Sequence, residues 1–344
     1  MAMIVMTDDG PEFDGATPER RPLGGAEAAF LSLAEALAAR GHAVRVCNKC
    51  AAPVTRNGVA WSPIADGVPD ACDLYIGNRG HRLIGLSPRA RRRTFWLHNP
   101  GGYLLKPRYL WPLLRHRPTL VTTGTYHAST VPRWVPAGGR AIIPYGLGPD
   151  YRASLPRADV PPPVAIFTSN PLRGLDWLLD VWTRRIRPAV PSAELHIYAG
   201  PEVYGAAGAR KADEMRGMLD AADALGDRGV RRHTPVPKAK LMGKLRAARL
   251  MLYRGDVNET FCLAVAEAQA LGLPAVVTPL GSLPERVEDG VTGSVAENDD
   301  AFVAAAVELL TDDTLWQNQH RAAIARRKGV SWDEVAARFE ALMR

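Results

Sequence analysis

The sequence is poor in cysteine, with only Cys47, Cys50, Cys72 and Cys262 in 344 residues. So few thiols in so long a chain exclude a disulfide framework and predict reduced side chains. Cys47 and Cys50 form a C-x-x-C pair, but no second pair or cysteine–histidine cluster follows at the spacing of a zinc site. The pair follows a strand-like segment, whereas a redox motif of this type opens a helix. We therefore expect no metal or redox function.

Long apolar runs are also missing. No window approaches the roughly 18 uncharged apolar residues of a membrane-spanning helix. The N-terminal MAMIVMTDDG has neither the basic start nor the apolar core of a signal peptide. Apolar residues make up 47% of the chain and charged residues 23%, a balance typical of a globular protein with a packed core. These features predict a cytoplasmic protein.

Acidic residues are absent from residues 74–149, a stretch that contains twelve lysines and arginines. The cations are Arg79, Arg82, Arg89, Arg91, Arg92, Arg93, Lys106, Arg108, Arg115, Arg117, Arg133 and Arg140. The aromatic side chains interleaved with them include Trp96, Tyr103, Tyr109, Trp111 and Trp134. Such a stretch predicts a basic surface for an anionic partner, either an acceptor substrate or a membrane on whose inner face the protein would be peripheral. Solvated loop arginines are the alternative.

Strands and helices alternate along the chain, which predicts α/β domains with parallel sheets. MIVMT, HAVRVC, DLYIGN, RTFWLHN, TLVTTG and AIIPYG have the composition of strands, and residues 24–42 have helical periodicity. The proline-rich residues 154–165 separate this pattern from a second set of strands and helices. We therefore predict two doubly wound, Rossmann-like domains, at residues 1–155 and 160–330, facing each other across a cleft, and a final helical segment at 331–344.

The segment NETFCLAVAEAQALGLPAVVTP of the second domain contains carboxylates at Glu259 and Glu267 in apolar surroundings. Its first helical amides, around Phe261 to Leu263, would face an anion such as a diphosphate. Eight residues of helix span about 12 Å, which suits a nucleotide sugar with its sugar at Glu259 and its ribose at Glu267. The alternative places Glu267 on a solvated stripe beside Gln269 and makes Glu259 a helix cap.

The spacing Glu259-x7-Glu267, continued by Gly272, Pro274 and GSLPERVEDGVTG, resembles the donor-site signature of retaining GT-B glycosyltransferases of family 4. Other segments occur in the family's order: LGGAE, LHN, PYG, LRG and YAGP. The resemblance implies the GT-B fold, with the last helix crossing back to the N-terminal, acceptor-binding domain. Trp332, Val335, Phe339 and Leu342 form the apolar stripe that this helix would bury.

The resemblance implies a role for each matching residue. Glu267 would bind the ribose and Glu259 the donor sugar, while Arg173 would grip the diphosphate and His98 would contact the sugar near its reactive carbon. The backbone amides that would face the donor are those of Gly24, Gly25, Phe261, Cys262 and Leu263.

This chain departs from the family pattern at one position that would neutralise the charge of the diphosphate. Family members carry a second basic residue about five positions before the one matched by Arg173, but this chain has TSNPLRG there. Arg254 or the Gly24 and Gly25 amides are the candidates to replace it. Tyr126 and His127 are acceptor-side candidates, and Glu285 is either a ligand contact or a brace for the following helix.

The implied reaction is transfer of a sugar from a UDP- or GDP-sugar to an acceptor hydroxyl with retention, in glycan, lipopolysaccharide or glycolipid assembly. No cofactor is expected, and no catalytic metal either, because the second domain has no D-x-D motif suited to hold a metal diphosphate. In the front-face attack that the resemblance implies, the leaving phosphate takes the acceptor's proton, so no carboxylate nucleophile is expected. A sugar-nucleotide epimerase of the same fold is one alternative. The other is a nucleic-acid-binding protein, suggested by basic residues interleaved with aromatic ones.

Overall fold

The computed structural model describes residues 1–201, 211–326 and 329–344. They form two compact units, one of Met1–Gly146 with Val330–Arg344 and one of Leu147–Gly329. The division lies before the predicted boundary at residues 154–165. In this proline-rich segment the Arg157 amide donates to His320 Nε2 at 2.9 Å, and the Arg246 guanidinium donates to Ser154 Oγ at 2.9 Å. These bonds attach the segment to the second unit.

The first unit contains an eight-stranded sheet in the order β3-β4-β2-β1-β5-β6-β7-β8. The strands are β1 (Met3–Asp8), β2 (Ala43–Asn48), β3 (Val54–Arg56), β4 (Val59–Pro63), β5 (Leu74–Asn78), β6 (Arg92–Trp96), β7 (Thr119–Thr122) and β8 (Gly139–Ile142). The helices are α1 (Thr17–Arg20), α2 (Gly25–Ala39), α3 (Pro107–His116) and α4 (Thr125–Ser129). All neighbours in the sheet are parallel except β3 and β4.

Two details of this sheet differ from the sequence prediction. The β3–β4 hairpin was not predicted, although Asn57 and Gly58 have the positive φ angles, 48° and 77°, of the tight turn that Asn-Gly favours. The predicted strand AIIPYG ends early, because β8 stops at Ile142, before Pro144, which has no amide hydrogen to donate to a neighbouring strand.

The second unit contains a fully parallel six-stranded sheet in the order β12-β11-β10-β13-β14-β15. After the short strand β9 (Gly146–Leu147), its strands are β10 (Val164–Phe167), β11 (Glu194–Tyr198), β12 (Val230–His233), β13 (Leu250–Tyr253), β14 (Ala275–Val277) and β15 (Gly293–Val295). The order reverses between β10 and β13. Ligands of doubly wound sheets bind beyond the carboxyl ends of the strands at such a reversal.

The described helices of the second unit lie between these strands and after the last of them. They are α5 (Pro149–Arg152), α6 (Leu175–Val181), α7 (Arg187–Ala189), α8 (Ala212–Asp223), α9 (Lys238–Ala247), α10 (Leu263–Ala270), α11 (Asp299–Thr311) and α12 (Asp313–Ala325). A π-helical turn, Trp182–Ile186, joins α6 to α7.

The last helix, α13 (Trp332–Ala341), follows the short strand β16 (Val330–Ser331) and packs on α2 of the first unit. Val335 and Phe339 are fully buried, and the Phe339 ring lies 5.3 Å from the Trp96 ring. Glu340 accepts from Arg40 Nε at 2.6 Å and from His42 Nε2 at 2.7 Å. Of the predicted apolar stripe, Val335 and Phe339 are thus buried within the first unit, whereas Trp332 and Leu342 are half-buried.

The Glu340 contacts predict a pH-dependent stability of the first unit. Hydrogen bonding from Arg40 lowers the pKa of Glu340 from 4.5 to about 2, although partial burial opposes the shift. Because the folded-state pKa is the lower one, this stabilisation is complete above pH 4.5 and is lost as the pH falls towards 2. We expect Glu340→Gln to cost about 1.5 to 3 kcal/mol near pH 7 and progressively less below pH 4.5.

Urea unfolding followed by tryptophan fluorescence between pH 7 and pH 3 would measure this cost. Glu297→Gln, at an exposed glutamate, is the control. An equal effect of Glu340→Gln at all pH values would contradict the prediction.

Candidate functional site

The loop after β13 and the start of α10 form the centre of the candidate site in the second unit. Helix α10 begins at Leu263, and its N-cap, Cys262, has a left-handed backbone with φ 59° and ψ 74°. The predicted helical start near Phe261 was therefore two residues early, and the first helical amides are those of Leu263, Ala264 and Val265. Glu259 lies in the loop, so the estimate of about 12 Å from helical rise does not apply to the whole segment.

Glu259 is the anionic centre of a buried cluster. Its side chain is 5% exposed and forms an ion pair with Arg173, which lies after β10, and the Tyr253 hydroxyl donates to the same oxygen. Burial has the largest single effect and lowers the pKa of Arg173, but the charges and hydrogen bonds of Glu259 and Tyr253 together raise it overall. Because the N-cap of α10 is Cys262, Glu259 does not cap the helix, and that alternative is wrong.

The backbone around Glu259 is held by a neighbouring loop. The Glu259 amide donates to the Asp256 carbonyl at 2.9 Å, and the Ser282 amide donates to the Glu259 carbonyl at 3.0 Å. Gly281 has a φ of 61°, and a Cβ there would lie 2.7 Å from the Glu259 carbonyl oxygen. The motif's glycine is thus required for this loop to approach the acidic residue closely.

Glu267 lies in the interior of α10 and is 6% exposed. Its carboxylate pairs with the ammonium of Lys238, the first residue of α9. Gln269 is also buried and donates to the Leu273 and Thr292 carbonyls, both at 2.9 Å. The alternative of a solvated stripe is therefore wrong, because α10 is buried around most of its circumference.

Three further residues of the signature lie at the start of α10. Phe261 is buried beneath the Arg286 guanidinium, 4.3 Å from its ring centre. Cys262 is a free, buried cysteine, and burial raises the pKa of its thiol. Leu263 is partly exposed and begins the helix. Glu285 pairs with the guanidinium of its neighbour Arg286 at 3.1 Å.

In the first unit, Gly24 is the N-cap of α2 and Gly25 is its first residue. Glu27, in the first turn, is buried and accepts from Arg79 at 2.9 Å. The same guanidinium binds the fully buried Asp8, at the end of β1, at 2.8 and 3.0 Å. A charged network therefore lies at the carboxyl ends of β1 and β5, next to the start of α2.

His98 extends this network. Its Nε2 bonds to the Asn78 side-chain oxygen and its Nδ1 to the Tyr145 hydroxyl, while the Asn78 amide nitrogen donates to Asp8. Nε2 therefore carries the hydrogen and Nδ1 accepts. Burial, with a smaller contribution from the Arg79 charge, holds the pKa of His98 well below 6.5. A sugar contact through a ring nitrogen would have to replace one of these two bonds.

The two acceptor-side candidates have different surroundings. His127 is fully buried, donates from Nε2 to the Asn99 carbonyl at 3.0 Å and accepts from the Thr123 amide at 3.1 Å. It is a structural residue of the first unit, contrary to our expectation. Tyr126 is partly exposed.

Most cations of the acid-free stretch are exposed, including Arg82, Arg89, Arg91, Arg92, Arg117 and Arg133. Arg79, by contrast, lies in the buried network, and Arg93 and Arg140 donate to backbone carbonyls of their own unit. One exposed part of the stretch is the surface around α3, which we call the α3 surface. Its members are Leu105, Lys106, Arg108, Trp111, Leu114 and Arg115. Trp111 is 71% exposed and Leu114 54%, so two large apolar side chains face outward among cations.

Sequence reasoning missed the residues that surround the predicted ones. Asp8 and Asn78 end apolar strands, where a search for polar residues at strand ends would have found them. Tyr253 ends β13 and could have been found in the same way. Lys238 carried no such signal, because its pairing with Glu267 becomes visible only once the chain is folded.

Comparison with known proteins finds a family model that matches most of the second unit. Residues 162–312 match the family model described as glycosyl transferases group 1. A D-inositol 3-phosphate glycosyltransferase of Streptomyces avermitilis is 30% identical over 212 residues, 60% of this chain and 42% of the relative. A lipopolysaccharide 1,2-N-acetylglucosaminetransferase of Salmonella typhimurium is 27% identical over 178 residues, 51% of this chain and 46% of the relative. The chain thus spans less than half the length of these relatives.

Solved structures define the fold class. A sucrose-phosphate synthase from Thermosynechococcus elongatus matches 99% of this chain and 98% of its own, with a TM-score of 0.74 and 17% identity. Anabaena HepE in complex with UDP and glucose matches 99% of both chains, with a TM-score of 0.72 and 14% identity. The protein therefore has the GT-B fold. The match of residues 162–312 to the glycosyl transferases group 1 model agrees with the resemblance seen in the sequence.

Proposed function

We propose that the protein is a retaining, metal-independent hexosyltransferase that moves a sugar from a UDP- or GDP-sugar to an acceptor hydroxyl. The observation that carries the proposal is the cluster of Glu259, Arg173 and Tyr253 beside the start of α10. It lies beyond the carboxyl ends of β10 and β13, where the strand order reverses and where doubly wound sheets bind nucleotides. The solved complex of HepE with UDP and glucose has the same fold.

In this proposal the donor lies across the start of α10. The ribose hydroxyls donate to Glu267, whose burial in an apolar helix favours a bound hydrogen-bond donor. The diphosphate faces the first amides of α10, near Leu263, and the Arg173 guanidinium. The sugar lies at Glu259. In this proposal the Gly24 and Gly25 amides face the donor's phosphates, and His98 contacts its sugar.

The residues act mainly by electrostatic stabilisation. Arg173 and the helical amides stabilise the charge that develops on the leaving diphosphate, while Glu259 orients the sugar hydroxyls. The acceptor hydroxyl attacks the anomeric carbon on the face from which the diphosphate leaves, and a phosphate oxygen takes its proton. No metal takes part in this scheme, so transfer should persist in excess EDTA.

A thermal-shift panel tests the donor class directly. UDP, GDP and ADP, with their glucose and mannose derivatives where these exist, are compared with short oligonucleotides. We expect the nucleoside diphosphate and sugar derivatives of one base to raise the melting temperature of the protein. A ligand that binds only the folded state stabilises that state. A shift with oligonucleotides alone would favour the nucleic-acid-binding alternative and overturn the proposal. Conversion of the donor sugar without any acceptor would instead indicate the epimerase.

The α3 surface supports a proposal about the acceptor side, namely peripheral docking on an anionic membrane that presents a lipid-linked acceptor. Lys106, Arg108 and Arg115 are exposed beside Trp111 and Leu114. Cations near an anionic bilayer contribute about 1 kcal/mol each, and tryptophan favours the interface. Within the described parts of the chain, no helix has the length and apolar character needed to cross a bilayer.

We expect the protein to co-sediment with vesicles that contain anionic lipid, and less so at high salt. Changing Lys106, Arg108 and Arg115 together to glutamine should reduce binding at least about tenfold, at about 1 kcal/mol per cation. The control is the same change at exposed Arg184, Lys244 and Arg321. Equal recovery from neutral and anionic vesicles, or none from either, would favour a soluble acceptor.

A further inference from the structure

Lys238 occupies an unfavourable position for a lysine. It is the first residue of α9, whose first turn contains no acidic side chain and includes a second lysine, Lys240. The partial positive charge at a helix start disfavours cations there. Lys238 therefore lowers the stability of its own helix unless another interaction compensates.

The compensating interaction is the ion pair with Glu267. The Lys238 side chain is 42% exposed and Glu267 is 8% exposed, so the ammonium meets the buried carboxylate from the solvent side. Tyr151 of α5 is also buried close to this carboxylate, and the pKa of Tyr151 is raised, first by burial and then by the Glu267 charge. Burying a carboxylate is costly unless a cation accompanies it. Lys238 supplies that cation within the second unit.

We propose that Lys238 is the positioning residue that holds the Glu267 carboxylate in place for the ribose hydroxyls of the donor. The inference rests on the proposed function, because it assumes that Glu267 binds the ribose. In this arrangement the ammonium fixes one carboxylate oxygen, and the remaining acceptor positions of the carboxylate are left for two hydroxyl donors. Lys238 itself need not touch the nucleotide.

The test compares ribose with dideoxyribose recognition by isothermal titration. The probes are UDP and 2′,3′-dideoxy-UDP, or the GDP pair if the panel selects guanine. We expect the wild type to bind the ribonucleotide at least about tenfold more tightly, because each charge-assisted hydrogen bond discriminates strongly. In Lys238→Met the preference should fall to about threefold or less. Lys238→Arg should restore it, and Lys240→Met, which removes a neighbouring exposed lysine, should leave it unchanged.

A double-variant cycle shows whether Lys238 acts through Glu267. In Glu267→Ala, the further change Lys238→Met should have no additional effect on the preference for ribose. Circular dichroism and the melting temperature check that each variant is folded, and Lys238→Arg carries the test if Lys238→Met unfolds, because it should keep the wild-type preference.

The outcomes separate this inference from the proposed function. If no nucleoside diphosphate binds the wild type, the proposed function fails. If the wild type prefers ribose but Lys238→Met keeps that preference, the proposed function stands and the role of Lys238 is overturned. Tighter ribonucleotide binding by Lys238→Met would also overturn it, because Lys238 would then obstruct Glu267. Loss of the preference in Lys238→Arg, with the protein folded, would do the same.

Discussion

Glu267→Ala is expected to weaken binding of the donor's nucleoside diphosphate at least about tenfold, because hydrogen bonds to a charged group contribute about 1.5 to 3 kcal/mol. The variant should remain folded. Its partner Lys238 is partly exposed, so water can solvate the ammonium once the carboxylate is gone. The truncation also leaves only a small gap beside a helix made largely of alanine.

Isothermal titration of the wild type and the variant measures this loss. Glu308→Ala is the matched control, because it removes an exposed glutamate from another helix of the same unit. Unchanged nucleotide affinity in a folded Glu267→Ala variant would remove Glu267 from the donor site. An equal loss in Glu308→Ala would show a general effect on the unit.

Glu259→Gln is expected to reduce turnover about 10- to 150-fold, the factor that corresponds to one charge-assisted hydrogen bond of about 1.5 to 3 kcal/mol. Affinity for the bare nucleoside diphosphate should change much less, since Glu259 is proposed to contact the sugar. The amide keeps the size of the carboxylate and can still accept from Tyr253 and Arg173, so the buried cluster should persist.

For Glu259, the informative result is a loss of turnover without a matching loss of affinity for the nucleoside diphosphate. Wild-type turnover in Glu259→Gln would show that the carboxylate has no role in transfer. Loss of nucleotide binding equal to the loss of turnover would indicate that Glu259 acts on the diphosphate side through Arg173. Melting temperatures of both proteins show whether the cluster has remained intact.

The local pattern of apolar and polar residues was sufficient to predict much of the fold. Short apolar runs predicted β1, β5 and β10, because a buried parallel strand needs apolar side chains on both faces. The segment around α10 was also recognisable, although its start was placed two residues early. A residue with positive φ that is neither glycine nor asparagine, Cys262, delays the helix, and no local rule anticipates a cysteine there.

Residues within recognisable motifs, Arg173 among them, were named from the sequence, but the pairs they form with residues distant in sequence were not. Glu259 and Glu267 are set apart by their apolar neighbours. Lys238 lies 29 residues from Glu267, and Arg173 lies 86 residues from Glu259. Composition also did not show which arginines of the acid-free stretch would be buried. Arg79 and Arg93 belong to the interior of the first unit because strand pairing brings carboxylates and carbonyls to them.

The central claim is that the second unit binds a nucleoside diphosphate sugar with its ribose at Glu267, and a crystal structure of the complex with the selected nucleoside diphosphate tests it most directly. The account predicts ribose oxygens within hydrogen-bonding distance, about 2.5 to 3.2 Å, of the Glu267 carboxylate. It also predicts the diphosphate at the first amides of α10 and at Arg173. A nucleotide bound elsewhere, or a ribose that leaves Glu267 without contact, would contradict it.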